Sequence, residues 1–259
     1  MPSVTNQIIE VKDSAGNMNK LLLFIDSNSY VDKSIKAVLD WNYDVIHQAQ
    51  VDWAKAEIAR LSEKAGYPGR TCLDTVAFMH IPVGEFQQAY LDLEGNGFAD
   101  TEDAQFIKGV WDEKIDETLN LRIWYGGCTQ YKDAPEEADT FFETLGPEGV
   151  GALEAVFCGH DHTNNFIANV DGVDLIQTPG VSYVSYHNNL YQGARVIEIS
   201  EDDPWTYRTY CLTANELAAE DGSHLADGGE RSNFSYRLSA FFFKVFEFFR
   251  KYLIGQLAA

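Results

Sequence analysis

Three histidines stand where apolar runs end. The run LDTVAFM leads into His80, and LEAVFC leads, through one glycine, into His160-Asp161-His162. In α/β sheets, binding and catalytic groups gather beyond the carboxyl ends of strands. Residues i and i+2 of an extended segment point to the same side. Read this way, His160 and His162 aim their imidazoles together while Asp161 points away, and Gly159 lets the backbone turn. Neutral imidazoles suit Zn, Fe and Mn-class ions. With six histidines in 259 residues, chance supplies an H-x-H only about 0.1–0.2 times. The alternative is a pair of hydrogen-bonded loop histidines. His47, His187 and His224 read as structural or surface residues, His47 within a helix and His187 in a polar YHNN loop.

Three neutral imidazoles cannot balance two divalent cations, so a metal centre of that kind needs carboxylates. No D-x-H, G-D or G-N-H precedes the histidines. Asp26, at the end of LLLFID, is the one carboxylate of the right kind, and its other reading is a strand-terminal turn residue.

The elements that must position these groups alternate between strand and helix early and cluster as strands late. VTNQIIEV (4–11) and KLLLFID (20–26) read as strands around the turn cluster DSAGN. Residues 44–64 carry an imperfect apolar stripe from Val45 to Leu61, closed by Gly66 and Pro68, and read as a helix. Leu73 to Met79 reads as a buried strand. Residues 86–120 are acidic and ambiguous. Leu121 to Tyr125 reads as a strand, Pro135 to Leu145 as a helix, and Leu153 to Cys158 as a strand. FIANV, DLIQT, ARVIEIS and WTYRTYCL follow as strands, with a hairpin signal at Asp171-Gly172.

The chain is long enough for one large domain with a real core. A net charge of −21 repels phosphate backbones and argues against a nucleic-acid partner. Cys72, Cys128, Cys158 and Cys211 lie far apart without a C-x-x-C, so no disulfide framework is expected. MPSVTNQIIEV has neither a basic n-region nor an apolar h-region and does not read as a signal peptide. A cytoplasmic or membrane-peripheral location is the expectation.

AFMHIPVGEF, VFCGHDHTNNF and GARVIEI resemble the calcineurin-like metallophosphoesterases, in particular the branch similar to purple acid phosphatases of the short type. LLLFIDSNSY and DVIHQAQVDW are similar to the segment between that branch's third and fourth motifs. The resemblance covers residues from about 5 to 200. It implies a layered α/β sandwich of two mixed β-sheets flanked by helices, with two ions of Fe, Mn or Zn type at the strand ends. It implies hydrolysis of phosphate esters by a metal-bound hydroxide. By the same resemblance His80 and His160 are ligands of the second metal and His162 of the first. The family's first three motifs, with their Asp, His, bridging Asp and Asn-His pair, are absent from the 259 residues and are expected upstream of Met1. The chain is thus expected to be incomplete at its N-terminus, with no complete catalytic set. At most one ion, weakly held, is expected here, on His80 and His160 with His162 as a third donor. An apolar edge or face left uncovered is a further expectation.

The expected organisation is a phosphoesterase portion at 1–215, a linker at 216–232 and a Phe-rich amphipathic helix at 233–259. In the last, ten apolar side chains from Phe234 to Leu253 cover most of the helix circumference. Arg237, Lys244 and Lys251, with Glu247, leave a narrow polar stripe. Charges interrupt the segment too often for a membrane span. It reads either as an interfacial helix on an anionic membrane or as a helix docked on the exposed sheet or on a partner subunit. The expected function is metal-dependent phosphoester hydrolysis at the level of the family, acting on a phosphate-ester substrate in the complete enzyme. The alternative is a non-catalytic half-domain that binds a partner chain or a membrane surface.

Overall fold

A computed structural model describes residues 5–30, 43–66, 72–95, 104–110, 141–182, 185–187 and 192–221. The strand expected at 121–125, the start of the helix expected at 135–145, Cys128, His224 and the segment 233–259 lie outside the described residues. Along the chain the elements are β1 (Gln7–Lys12), β2 (Met18–Phe24), α1 (Gln48–Ala65), β3 (Thr75–Phe78), α2 (Gly84–Gly95), β4 (Ala104–Val110), α3 (Phe141–Leu145), β5 (Leu153–Cys158), β6 (Asn165–Val170), β7 (Val173–Gln177), β8 (Gly193–Glu198), β9 (Arg208–Thr213) and α4 (Ala214–Asp221).

The chain is α/β. Seven strands form one mixed sheet in the order β1-β2-β3-β5-β7-β6-β4. Its centre, β2, β3, β5 and β7, is parallel. The edges are antiparallel: β1 pairs with β2, β6 with β7, and β4 with β6. Central parallel strands are short and largely apolar, as TVAF and LEAVFC are. The hairpin at 171–172 forms as its sequence predicts. Asp171 and Gly172 both take left-handed backbone (φ 51° and 84°), which a two-residue turn between β6 and β7 requires.

Alternation along the strands splits the core in two. Leu21, Leu23, Ala77 and Val156 face α1, α2 and α3 and join the larger cluster with Val51, Ile58, Phe86, Leu93, Phe141 and Leu145. Val76, Ala155, Phe157, Ile167 and Ile176 face the other way, against Ile197 and Tyr207 of the second sheet unit. A mixed sheet, a second sheet and helices are broadly compatible with the expected α/β sandwich; among the described residues the second sheet is β8 paired with β9, a two-stranded antiparallel ribbon. It covers the β5-β7-β6 side, while Leu22, Phe24 and Phe78 on the same face are only partly buried.

One local expectation is corrected, and two stretches gain detail. His47 does not lie within a helix. It is the N-cap of α1, with extended backbone (φ −81°, ψ 150°). Its N–H donates to Gln50 Oε1 (2.9 Å), and the helix begins at Gln48, four residues after the expected start at 44. The ambiguous stretch 86–120 contains α2 and β4. Phe86, Ala89 and Leu93 are buried at helical spacing, and the acidic residues around them obscure that pattern. The stretch expected as a linker, 216–232, begins within α4. Thr213 and Glu216 form the reciprocal T-x-x-E cap: the Glu216 N–H donates to Thr213 Oγ1 (3.2 Å), and the Thr213 N–H donates to Glu216 Oε2 (2.9 Å). Among the described residues no helix is long and apolar enough to cross a membrane.

Polar contacts join the ribbon to the sheet: the Arg195 guanidinium of β8 donates to Asn165 of β6 and to the Gln177 carbonyl of β7, and a buried lysine reaches the segment before β9. Lys20 is fully buried. Its ammonium donates to Glu154 and to the Trp205 carbonyl and lies 6.0 Å from the Tyr207 ring centre. The Tyr207 hydroxyl in turn donates to Asp174. Burial holds the Glu154 carboxyl above the usual carboxylate range even with Lys20 beside it, and Asp74 and Asp174 push the same way. Removing one member of such a pair strands the other, which costs more than removing both. Lys20→Met alone is therefore expected to lower unfolding free energy by about 3 kcal/mol, and Lys20→Met with Glu154→Leu to recover most of that loss. Urea unfolding of the two variants measures both.

Candidate functional site at the carboxyl ends of the parallel strands

The site begins as backbone geometry. β3 and β5 are parallel neighbours with Phe78 opposite Phe157. Past the last paired residues, the Met79 N–H donates to the Phe157 carbonyl and the Gly159 N–H to the His80 carbonyl, each at 3.0 Å. These two bonds bring His80 and His160 to one spot. His160 Nδ1 and His80 Nε2 lie 3.2 Å apart, with the rings nearly perpendicular (5.0 Å, 87°). Tyr43 packs its ring against His160 at 4.8 Å and 89°.

His160 gets there by a route that simple alternation does not foresee. Its φ is +71°, the left-handed region that non-glycine residues seldom adopt and that costs roughly 1–2 kcal/mol. The stretch is a turn, with the Asp161 N–H on the Gly159 carbonyl (2.8 Å) and the Asn164 N–H on the Asp161 carbonyl (3.2 Å). The expectation of an extended His160-Asp161-His162 is thus corrected: a turn, not a strand, sets the directions of the two imidazoles. Asp161 is buried at 1% exposure, while both histidines beside it are partly exposed.

His162 is held by the loop that follows β7. Its ring stacks on Tyr186 (4.5 Å, 10°), and its Nδ1 lies 2.8 Å from the Tyr186 carbonyl. That distance fixes Nδ1 as the protonated nitrogen in the neutral ring and leaves Nε2 as its lone-pair donor. The Tyr186 hydroxyl donates to the His160 carbonyl (3.3 Å). Gly180 permits this packing, because a Cβ there would stand 2.8 Å from His162 Cβ. The Gly180 N–H donates to the His162 carbonyl (3.0 Å). His162 also lies close enough to His80 that its charge depresses the His80 pKa, in addition to the larger effect of partial burial.

Asp26 lies with His80 in the wall of an open cleft of about 660 Å³, together with Phe24, Phe78, Phe157 and Thr178. Its two oxygens are engaged locally. Oδ1 accepts from the Asn28 N–H (2.9 Å) and Oδ2 from the Thr5 hydroxyl (2.7 Å). This is the turn-forming role that aspartates take at strand ends. His187 is buried, with Nδ1 2.8 Å from the Ser185 carbonyl. The residues that sequence reasoning missed are Tyr43, Tyr186 and Gly180. Tyr186 is in the polar YHNN loop that also holds His187. Nothing local marks Tyr43, which reaches the site by tertiary packing.

Two nitrogens, each 2.0–2.1 Å from one tetrahedral ion, stand about 3.3–3.4 Å apart. The 3.2 Å between His80 and His160 fits one edge of such a shell. The same spacing suits an N–H···N hydrogen bond between the two rings. Among the described residues, no group of three or more His, Cys, Asp or Glu side chains is placed to hold a metal ion. The imidazole pair therefore fits part of a single ion's shell, and the carboxylates that two ions require are not among the described residues.

No family model matches the chain, and no curated protein matches it.

The depressed His80 pKa has a signed consequence. Between the folded value and the ordinary 6.5, the unfolded chain binds the proton more readily than the folded one. The stability that His80 contributes is present above about pH 6.5 and lost as pH falls through the folded value. His80→Asn is expected to flatten the fall in thermal midpoint between pH 7 and pH 5, and an unchanged slope would show that His80 is not the group responsible.

Proposed function

We propose that the chain carries the histidine part of a metal-dependent phosphoesterase site of the calcineurin-like kind, and that the chain by itself is catalytically incomplete. What supports the reading is one observation: imidazoles from the ends of two adjacent parallel strands meet at 3.2 Å, one of them held in left-handed backbone. Backbone strain of this sort persists where surrounding structure over-determines it and clusters at functional sites. The order of the segments AFMHIPVGEF, VFCGHDHTNNF and GARVIEI, and the resemblance they carry, give the reaction class.

A divalent ion at such a site supplies a Lewis acid for a phosphoryl oxygen and makes water nucleophilic near neutral pH. The chain's own residues would do three things. His80 and His160 donate neutral nitrogen to one ion, and the low His80 pKa keeps that nitrogen unprotonated near pH 7. Tyr186 orients His162 through its carbonyl and ring face, so that Nε2 remains the available donor. The open cleft beside His80 leaves room for a phosphate ester. Without a bridging carboxylate two cations about 3.5–4 Å apart repel with little compensation, so hydrolysis is expected only from a protein that also supplies those carboxylates.

Cobalt(II) titration of the full chain tests the reading. Binding is expected with d–d absorption typical of nitrogen ligation. His80→Ala and His160→Ala are each expected to weaken it at least tenfold, about 1.4 kcal/mol. Hydrolysis of p-nitrophenyl phosphate by the chain alone is expected at background. Cobalt binding that is indifferent to both substitutions would sink the proposal.

A further inference from the structure

Among the described residues, the ribbon β8-β9 covers only part of one sheet face, and the remainder carries a line of apolar side chains. Ile9 and Leu22 are register partners and point to this face; Ile9 is 48% exposed. Phe24 stacks on Phe78 at 4.9 Å, Phe78 stacks on Phe157 at 5.3 Å, and Phe157 meets Tyr207 of the ribbon edge-on at 5.9 Å. The aromatic ladder thus runs from under the ribbon out onto the open half, across β5, β3 and β2. Acidic groups border it: Asp26 at one end of the strands, and Glu154 and Asp174 beside Lys20 and Tyr207.

We propose that this open half, Ile9, Leu22, Phe24 and Phe78, is the docking surface for residues 233–257 of the same chain. Three features select that occupant. Its composition matches the ladder, since Phe241, Phe242, Phe246 and Phe249 supply aromatic side chains in one short stretch. Its charge complements the rest. Residues 233–257 carry four basic side chains and one acidic, a net of +3, and the chain carries −21 overall; the remainder is therefore −24. Its tether is long enough. The described chain ends at Asp221 in α4, directly after ribbon strand β9. The eleven residues 222–232 can span about 36–40 Å, more than twice the roughly 15 Å from β5 to β1. A tethered segment competes at millimolar effective concentration, which a second copy or a separate partner does not reach at ordinary protein concentrations. The surface shares Phe24 and Phe78 with the cleft beside His80, but its apolar contacts need no ion, so cobalt binding and cross-linking fail separately.

The test places the photoreactive residue p-benzoylphenylalanine at position 9 of the full chain and maps adducts by mass spectrometry after irradiation. Adducts within 233–257 of the same molecule are expected, with a yield unchanged over tenfold dilution. Replacing Phe242, Phe246 and Phe249 by serine is expected to lower that yield at least fivefold. The same probe at position 22 repeats the measurement should the position 9 protein fail to fold. Four results would overturn the proposal: a yield that falls with dilution, which assigns the face to a second copy; adducts confined to other segments; no adduct at either position; or loss of the adduct on adding phosphatidylcholine–phosphatidylserine vesicles, which assigns the segment to a membrane.

Discussion

Everything at the candidate site depends on the register between β3 and β5. Two backbone hydrogen bonds past the ends of these strands, Met79 to Phe157 and Gly159 to His80, set which residues leave the sheet side by side. Shifting a strand by one residue would send its side chains to the other face. His80 would then enter the helix-side core, and His160 would lose its neighbour. The buried residues that fix this register are ordinary core: Val76, Ala77, Ala155 and Val156 are all fully inaccessible. Site geometry is thus a by-product of packing several residues away, as expected for groups placed at the ends of rigid strands.

The same sheet has unequal faces. One is closed by helices and holds the larger core. The other is closed on one side by the ribbon and anchored there by a buried lysine, whose charge is met by Glu154 and a carbonyl. A pair of this kind contributes little net stability but strongly penalises any arrangement that separates its members. That pair lies within the larger sheet, and Arg195 of β8, donating to Asn165 and to the Gln177 carbonyl, ties the ribbon to it. The aromatic ladder continues past the ribbon's edge, and exposed apolar area of that kind marks an interaction surface.

What the sequence made legible was local. Strand ends running into histidine, the Asp171-Gly172 turn, and the apolar runs of β2, β3 and β5 are all written within a few residues of where they act. The helix α2 was hidden because acidic residues interrupt a stripe that still places Phe86, Ala89 and Leu93 on one side. The cap of α4 is written locally as T-x-x-E, from Thr213 to Glu216. Left-handed backbone at His160 carries no sequence signal, since asparagine or glycine would be the usual residue there. Tyr43 and Tyr186 come to the histidines through tertiary contacts, and spacing along the chain does not encode them.

The central claim is that His80 and His160 are two donors to one ion, rather than a hydrogen-bonded pair of rings. X-ray absorption on the full chain loaded with one equivalent of zinc tests this most directly. The account predicts a first shell containing two imidazole nitrogens at about 2.0–2.1 Å with the outer-ring scattering of histidine. A shell of oxygen donors alone, with no imidazole scattering, would contradict it.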